Sequence, residues 1–340
     1  MHHRTFLIPA LVVSLATAGF AQNVTKSFTV NGTTHSCIWH VPSGITKPPV
    51  IFFIHGAGGS GGGFQSETKG DAVADKEKFI TVYPSATSNG GTGTWADMSG
   101  TTNFPFFLAV LDTLDKRYQI DRNRVYMTGF SQGGFISFVA GCKYSDVFAA
   151  IAPVSGHAGS PCTLKRPVPV FLTFGAQEDK VSFVNDLTIW LKLDSCSSTP
   201  TVTRPQTGVT KITYGPCAQG TSAIMDSISG QGHQWPTKLN MAEEVWTFFK
   251  QFSLDANTAV RQQALAVTRE PVSVSYSSGI VRLQGAGEKC RLQVIDIRGR
   301  LVTAATAEQR QFAFKNKPSG VYMVVVSGND RPVTLRMVIP

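Results

Sequence analysis

The sequence has little charge and no cysteine spacing suited to a structural metal. Charged residues make up 16% of the 340 residues and hydrophobic residues 42%, a balance that excludes a disordered chain. No two of the six cysteines are two to four residues apart, which excludes the usual zinc patterns. The net charge is +9, and most of the excess of basic residues lies in residues 271–340. There the charged residues alternate with apolar ones, so like charges do not form a run. We predict no metal, no cofactor and no nucleic-acid partner.

Long apolar runs are confined to the start of the chain. Residues 6–19 are apolar and follow a short polar segment that contains Arg4, and Gly19 and Ala21 place small residues at a signal-peptidase site. The run is shorter than the ~20 apolar residues that span a membrane. We interpret residues 1–21 as a signal peptide. The sequence thus predicts a secreted or cell-surface protein with no stable membrane span.

Six cysteines are consistent with an oxidising compartment. Their pairing cannot be chosen from the sequence alone, although the short separations of Cys142 from Cys162 and of Cys196 from Cys217 are suggestive. Cys37 and Cys290 lie far apart and are left without an assigned partner.

Strand-like and helix-like segments alternate over residues 22–253, which we predict to be one domain. Continuous apolar runs alternating with helical periodicity are typical of an α/β fold with a mostly parallel sheet covered on both faces. The predicted strands are residues 49–54, 79–83, 124–128, 147–154, 168–174, 211–214 and 223–228, and the predicted helices are residues 103–118, 132–141 and 241–252.

The pattern changes after this domain. Residues 254–270 are polar and rich in Ala and Gln, which predicts a linker. From residue 271 only short alternating strands remain, separated by turns such as residues 298–300 and 319–320. This pattern predicts a small all-β sandwich over residues 271–340.

A G-x-S-x-G motif, Gly129 to Gly133, lies between a predicted strand and a predicted helix. Glycines on both sides of the serine permit the tight, strained turn that exposes a nucleophile. The helix that follows offers free N–H groups and a positive dipole. The motif therefore predicts Ser131 as a catalytic nucleophile.

A serine nucleophile needs a base and an acid that orients the base. In a sheet of this type the chain order is Ser, Asp, His, which selects His233, between the last predicted strand and the last helix. For the acid we choose Asp179, in the loop after residues 168–174, with its neighbour Glu178 as the alternative. Asp186 and Asp194 fall in or after a helix and are expected to be surface charges.

The glycine-rich loop after residues 49–54 provides a second feature of the site. We predict that the oxyanion is bound by the N–H of Gln132 and by that of Ala57 or a neighbour. Residues 56–61 also match G-x-G-x-x-G. A dinucleotide site would need a helix beginning there and an acidic residue after the next strand, and we predict neither.

Four motifs in order, residues 55–59 (HGAGG), 129–134 (GFSQGG), 174–179 (FGAQED) and 230–236 (GQGHQWP), resemble the secreted polyhydroxybutyrate-depolymerase-type esterases. That group includes the feruloyl and acetylxylan esterases of carbohydrate esterase family 1. The resemblance covers residues 28–252 and implies an α/β-hydrolase fold. It also implies the triad Ser131, Asp179 and His233 and supports the two suggestive cysteine pairs.

The C-terminal residues 294–302 and 319–324 resemble sorting domains of proteins exported by the type IX secretion route. The resemblance implies attachment or export, with the secretion machinery as a partner. A carbohydrate-binding module is the alternative, but it usually presents an aromatic platform. Aromatic residues are few here: Tyr276, Phe312, Phe314 and Tyr322.

These features predict a secreted serine esterase that hydrolyses feruloyl esters of plant cell-wall xylan through an acyl-enzyme. Trp95 and Trp235 are the predicted substrate-binding residues, although packing that positions the His233 loop is an equal alternative for Trp235. The alternatives within enzymes are an acetylxylan esterase, a polyhydroxyalkanoate depolymerase and a peptidase. A non-catalytic wall-binding protein is the alternative from a different class.

Overall fold

The chain divides into two compact units, residues 1–259 and 260–340, in a computed structural model. The first unit is described for residues 20–87, 90–95, 103–159 and 162–255, and the second for residues 273–284, 289–296, 300–308, 311–315, 317–327 and 333–339. Nearly all of the predicted signal peptide and most of the predicted linker lie outside these residues.

A ten-stranded sheet is the frame of the described part of the first unit, in the order β1-β2-β4-β3-β5-β6-β7-β10-β9-β8. The six strands from β4 to β10 in this order pair in parallel, and antiparallel pairs flank them on both sides. The parallel strands are mostly buried, which explains their continuous apolar runs. The strands are β1 (Gln22–Val30), β2 (Thr33–Val41), β3 (Val50–Ile54), β4 (Ile80–Pro84), β5 (Val125–Phe130), β6 (Ala150–Val154), β7 (Val170–Gly175), β8 (Thr201–Thr203), β9 (Val209–Tyr214) and β10 (Ala223–Ile228).

Helices cover both faces of this sheet. The described helices are α1 (Gly61–Thr68), α2 (Gly70–Glu77), α3 (Asn103–Tyr118), α4 (Gln132–Lys143), α5 (Lys180–Leu193) and α6 (Met241–Phe249), and Ala218–Gly220 form a 3-10 turn. One apolar core joins the sheet to α3, α4 and α5, and a second joins its other face to α1, α2 and α6. This three-layer arrangement is the predicted α/β-hydrolase architecture.

The structure corrects the sequence prediction at the glycine-rich segment after β3. A helix does begin there: α1 starts at Gly61, and the Ser60 hydroxyl caps it by accepting the N–H of Gly63 at 3.1 Å. Three successive glycines disfavour a helix by about 1 kcal/mol each relative to alanine, so propensity alone did not predict it. Packing of Phe64 in the second core offsets that cost.

The second unit is a small sandwich of two antiparallel sheets. One sheet contains β11 (Ser273–Ser277), β12 (Ile280–Gln284) and β15 (Gln311–Ala313). The other contains β13 (Lys289–Asp296), β14 (Leu301–Glu308), β16 (Gly320–Ser327) and β17 (Val333–Ile339). Residues of both sheets, among them Val281, Leu283, Val294 and Val324, share one apolar core. Within the described residues of the chain, no helix combines the length and apolar character needed to cross a membrane.

Two disulfides tie down segments of the first unit. The bonds are Cys142–Cys162 and Cys196–Cys217, the pairs that the sequence favoured. Cys37 is a free thiol buried in the sheet, and burial raises its pKa well above the usual value. The side chain of Cys290 lies outside the described residues.

Candidate active site

Ser131 lies on a sharp turn between β5 and α4. Its backbone has φ 55° and ψ −113°, a strained conformation. The flanking glycines are required by close contacts. A Cβ on Gly129 would lie 2.6 Å from the carbonyl of Gly133, and a Cβ on Gly133 would overlap the carbonyl oxygen of Ile54. The motif therefore packs without side chains against β3 and projects the serine hydroxyl from the carboxyl edge of the sheet.

A continuous hydrogen-bond chain runs from this serine through His233 to Glu178. His233 Nε2 lies 2.8 Å from Ser131 Oγ, and His233 Nδ1 lies 2.6 Å from Glu178 Oε2. With Nδ1–H donating to the carboxylate, Nε2 is free to accept the serine proton. His233 is half exposed and Glu178 is largely buried. The structure thus places the predicted nucleophile and base in contact.

The structure differs from the sequence prediction at the acid. Asp179, the predicted acid, is the N-cap of α5: its Oδ1 accepts the N–H of Val181 at 3.1 Å and its Oδ2 accepts the hydroxyl of Ser182 at 2.6 Å. These bonds hold the pKa of Asp179 below its usual range. Glu178, the alternative, is the residue that reaches His233. Aspartate is a favoured N-cap residue, so the helix that begins at Lys180 was the sequence signal for this assignment.

Glu178 is itself held in place by two donors. Its second oxygen, Oε1, accepts the hydroxyl of Ser155 at 2.7 Å and the N–H of Gly175 at 2.9 Å. Ser155 directly follows β6, is 3% exposed and has φ 48°. Because the carboxylate is bonded through both oxygens, it presents a fixed edge to the imidazole.

Ser155→Ala is expected to lower kcat of the proposed esterase about tenfold with little change in KM. The reason is that a hydrogen bond to a charged group contributes about 1.5 kcal/mol or more, and its loss frees Glu178 to rotate away from His233. Ser182→Ala, which removes the equivalent hydroxyl from Asp179, is the matched control and is expected to leave kcat unchanged. Steady-state kinetics measure both, and equal effects of the two variants would contradict the assignment of Glu178.

The acid and base loops are also joined through their backbones. The N–H of Gln177 donates to the carbonyl of Gln231 at 2.9 Å, and that of Ala176 donates to Ile228 at 2.9 Å. A Cβ on Gly175 would overlap the carbonyl oxygens of Gln231 and Gly232. The adjacent strands β7 and β10 therefore bring the loops of Glu178 and His233 into direct contact.

The glycine-rich loop after β3 lies against the nucleophile turn. A Cβ on Gly56 would be 3.3 Å from Ser131 Cβ and 3.2 Å from Phe130 Cδ1. Within the described residues, the backbone N–H groups of Ala57 and Gln132 have no hydrogen-bond acceptor, whereas Gly58 and Gly59 donate to Gly93 and Gly56. Both predicted oxyanion donors are thus available beside the serine.

Trp95 does not present a surface to substrate, which corrects the sequence prediction. It is 2% exposed, and its indole N–H donates to the carbonyl of His55 at 2.9 Å. Its ring stacks on His55 at 4.7 Å between centroids. Its backbone N–H and C=O bond the side-chain amide of Gln132 at 3.0 and 3.1 Å. Trp95 therefore links the loop of Ala57 to the nucleophile turn.

Trp235 is also buried, at 3% exposure, and packs edge-on against Phe64 at 5.1 Å between centroids. This position agrees with the packing alternative and not with an open aromatic platform. Trp235 contributes to the wall of a cavity of about 570 Å³ behind the His233 loop, together with Lys69 and Lys238.

The other described histidines have no hydrogen bond to Ser131 within the described residues. Their partners include Asn23 and Asp75 for His40, the Gly56 carbonyl for His55 and Asp186 for His157, while His35 stacks on Phe106. Among the described residues, no cluster of His, Cys, Asp and Glu has the arrangement of a metal site.

The sheet order and the positions of Ser131, Glu178 and His233 after β5, β7 and β10 define an α/β-hydrolase. A solved acetyl xylan esterase from Aspergillus awamori has a similar fold, with a TM-score of 0.54 and 17% identity over 67% of this chain and 99% of that chain. A solved thermostable esterase has a TM-score of 0.50 and 16% identity over 68% of this chain and 63% of that chain.

Sequence comparisons agree with this class. Residues 73–159 match a family model described as the prolyl oligopeptidase family. A bifunctional acetylxylan esterase/xylanase from Neocallimastix patriciarum is 31% identical over 228 residues, which are 64% of this chain and 33% of that protein. A feruloyl esterase B from Thermothelomyces thermophilus is 35% identical over 162 residues, 46% of this chain and 55% of that protein.

A poly(3-hydroxyalkanoate) depolymerase C from Paucimonas lemoignei is 26% identical over 159 residues, 44% of this chain and 38% of that protein. The chain therefore spans between about a third and just over half of the length of these curated relatives.

Proposed function

We propose that this chain is a secreted serine esterase that hydrolyses feruloyl esters of plant cell-wall xylan. The observation that carries the proposal is the hydrogen-bond chain from Ser131 through His233 to Glu178, with distances of 2.8 and 2.6 Å. The similarity to acetylxylan and feruloyl esterases supports the substrate class. The two disulfides support an extracellular location.

The proposed reaction proceeds in two halves. Ser131 Oγ attacks the ester carbonyl carbon while His233 Nε2 takes its proton, and the N–H groups of Ala57 and Gln132 bind the oxyanion. His233 then protonates the departing alcohol, which leaves an acyl group on Ser131. In the second half His233 deprotonates a water molecule, which attacks the acyl-enzyme. His233 then returns that proton to Ser131 Oγ as the acyl–oxygen bond breaks, which releases the free acid and restores the enzyme. Glu178 keeps Nε2 unprotonated at the start and stabilises the imidazolium.

The test compares substrates on the purified full chain. We expect turnover of 4-nitrophenyl acetate and methyl ferulate, and release of ferulate from feruloylated xylan. Turnover of acetylated xylan or polyhydroxybutyrate film without feruloyl release would move the assignment to the acetylxylan esterase or the depolymerase. Cleavage of a prolyl peptide in place of all esters would identify a peptidase. Binding to insoluble xylan without any turnover would identify a non-catalytic binder.

For the second unit we propose a role in export or attachment by the type IX route, on the resemblance of residues 294–302 and 319–324. A carbohydrate-binding module is the alternative. Expression in a host that has this route tests the proposal: removal of residues 271–340 is expected to retain the esterase inside the cell envelope. Unchanged export together with weaker binding to xylan would favour the alternative.

A further inference from the structure

A cavity of about 370 Å³ opens beside the nucleophile turn. One wall is the loop that contains Ala57, and another is Phe130, the residue before Ser131. The far wall is one face of α1, where Gly63, Phe64 and Glu67 follow the cap Ser60 at the i, i+3, i+4 and i+7 spacing of a helix face. The cavity therefore extends from the loop of Ala57 to the last turn of α1.

The position of this cavity indicates which half of an ester it accepts. The departing alcohol must lie beside His233, because His233 Nε2 donates its proton. His233 does not line the cavity, whereas Ala57, a predicted donor to the carbonyl oxygen, does. A substrate whose carbonyl oxygen is bound at Ala57 and whose alcohol faces His233 directs its acyl group into the cavity.

The wall chemistry indicates the kind of acyl group. A volume of about 370 Å³ is within the range of small-molecule sites and exceeds what an acetyl group needs. Phe64 and Phe130 provide apolar surface along the cavity. Glu67 adds a carboxyl group that makes no hydrogen bond or ion pair with any described residue, and partial burial raises its pKa. Glu67 is exposed, and its carboxylate oxygens, which have no partner among the described residues, can accept a hydrogen bond from a ligand hydroxyl.

We propose that this cavity is the acyl pocket and that it selects acyl groups that are larger than acetyl and carry a hydroxyl group. That hydroxyl donates a hydrogen bond to the carboxylate of Glu67. This inference rests on the proposed esterase function and adds the pocket and its determinants, Gly63 and Glu67. Both a phenolic cinnamoyl group and a 3-hydroxyalkanoyl group have the required chemistry, so the experiment includes methyl ferulate and methyl 3-hydroxybutyrate.

Neighbouring glycines of α1 provide a matched pair for the size of the pocket. Gly63 lines the cavity, whereas Gly62 does not, and a Cβ on Gly62 would meet only Ile38 at an ordinary 3.5 Å. Gly63→Leu is expected to lower kcat/KM for methyl ferulate at least about tenfold and to spare 4-nitrophenyl acetate, because the added side chain fills the space of a large acyl group. Gly62→Ala is expected to change neither.

A side chain on Gly63 would also lie 3.1 Å from the hydroxyl of Ser60, which caps α1, so Gly63→Leu could act through the helix. A second variant therefore tests the pocket from outside α1. Thr92 is exposed and lines the same cavity from a different segment. Thr92→Phe is expected to give the same selective loss. If both Gly63→Leu and Thr92→Phe fold and retain full turnover of the large esters, the cavity is not the acyl pocket.

Glu67 tests the hydroxyl preference. Glu67→Leu is expected to lower kcat/KM about tenfold for whichever hydroxylated ester is the better substrate, and to leave its methylated analogue unchanged. Methyl 3,4-dimethoxycinnamate and methyl 3-methoxybutyrate are the analogues. Ser66→Ala is the control on the same helix, because Ser66 is exposed and does not line the cavity. Equal effects on the hydroxylated and methylated esters overturn the role of Glu67.

These measurements distinguish failure of the proposed function from failure of the pocket inference. If the chain hydrolyses no ester, the proposed function fails. If methyl ferulate is turned over in a Ser131-dependent reaction and neither Gly63→Leu nor Thr92→Phe lowers that turnover, the function stands and the pocket inference fails. If only 4-nitrophenyl acetate is turned over, the chain is still a serine esterase, but the feruloyl assignment and the pocket inference both fail.

Discussion

Ser131→Ala is expected to lower kcat for 4-nitrophenyl acetate and methyl ferulate on the order of 10⁶-fold, a loss like that seen when the nucleophile of another serine hydrolase is removed. The loss is this large because no acyl-enzyme can form, although the oxyanion donors and the cavity remain. Alanine keeps the Cβ and so adds no strain at φ 55°. We therefore expect normal folding, with the thermal midpoint within about 2 °C of wild type.

Two further experiments test that interpretation. Mass spectrometry of the quenched enzyme is expected to detect an acyl adduct on the wild-type chain and none on the variant. Ser137→Ala is the matched control, since its hydroxyl donates to the Gly133 carbonyl on the same helix and does not reach His233. Activity of Ser131→Ala near the wild-type rate would falsify the nucleophile assignment.

Glu178→Gln is expected to lower kcat on the order of 10³ to 10⁴-fold, whereas Asp179→Asn is expected to leave kcat within about threefold of wild type. Glutamine keeps the shape of Glu178 but replaces a charge that faces the imidazole at 2.6 Å. It therefore cannot stabilise the imidazolium and permits the wrong tautomer. Asparagine at residue 179 can still cap α5, because asparagine is as good an N-cap as aspartate.

The adjacent pair makes this a sharp comparison, since the two substitutions remove the same charge from neighbouring residues. Kinetics with 4-nitrophenyl acetate at several pH values measure both variants, and circular dichroism checks that each is folded. A large loss in Asp179→Asn with a small loss in Glu178→Gln would restore the assignment made from the sequence.

The sequence predicted the buried part of the first unit well. Strands such as β3 and β5 lie between two helix layers, so both of their faces are apolar and the runs are continuous. Strands β1 and β2 were missed because this flanking hairpin is partly exposed and has no clear alternation. Helix α1 was missed because its stability comes from packing and not from its glycines.

The site was predictable where chemistry restricts the backbone. Gly129 and Gly133 have no space for a side chain, and this steric requirement makes the motif around Ser131 recognisable. The choice between Glu178 and Asp179 depended on where α5 begins, and helix ends are the least certain part of a prediction from sequence. The burial of Trp95 depended on contacts with His55 and Gln132, which are distant in the chain, so no local pattern indicated it.

The contact of Gly175 with the backbones of Gln231 and Gly232 has a consequence for how this molecule tolerates change. Main-chain hydrogen bonds between the loops that follow β7 and β10 set the spacing of Glu178 and His233. Most of the cavity wall comes instead from the segment after β3 and from α1, so substitutions in that short stretch are expected to change the cavity without altering these main-chain bonds. The contact between the acid and base loops and most of the cavity wall therefore lie in separate stretches of the chain.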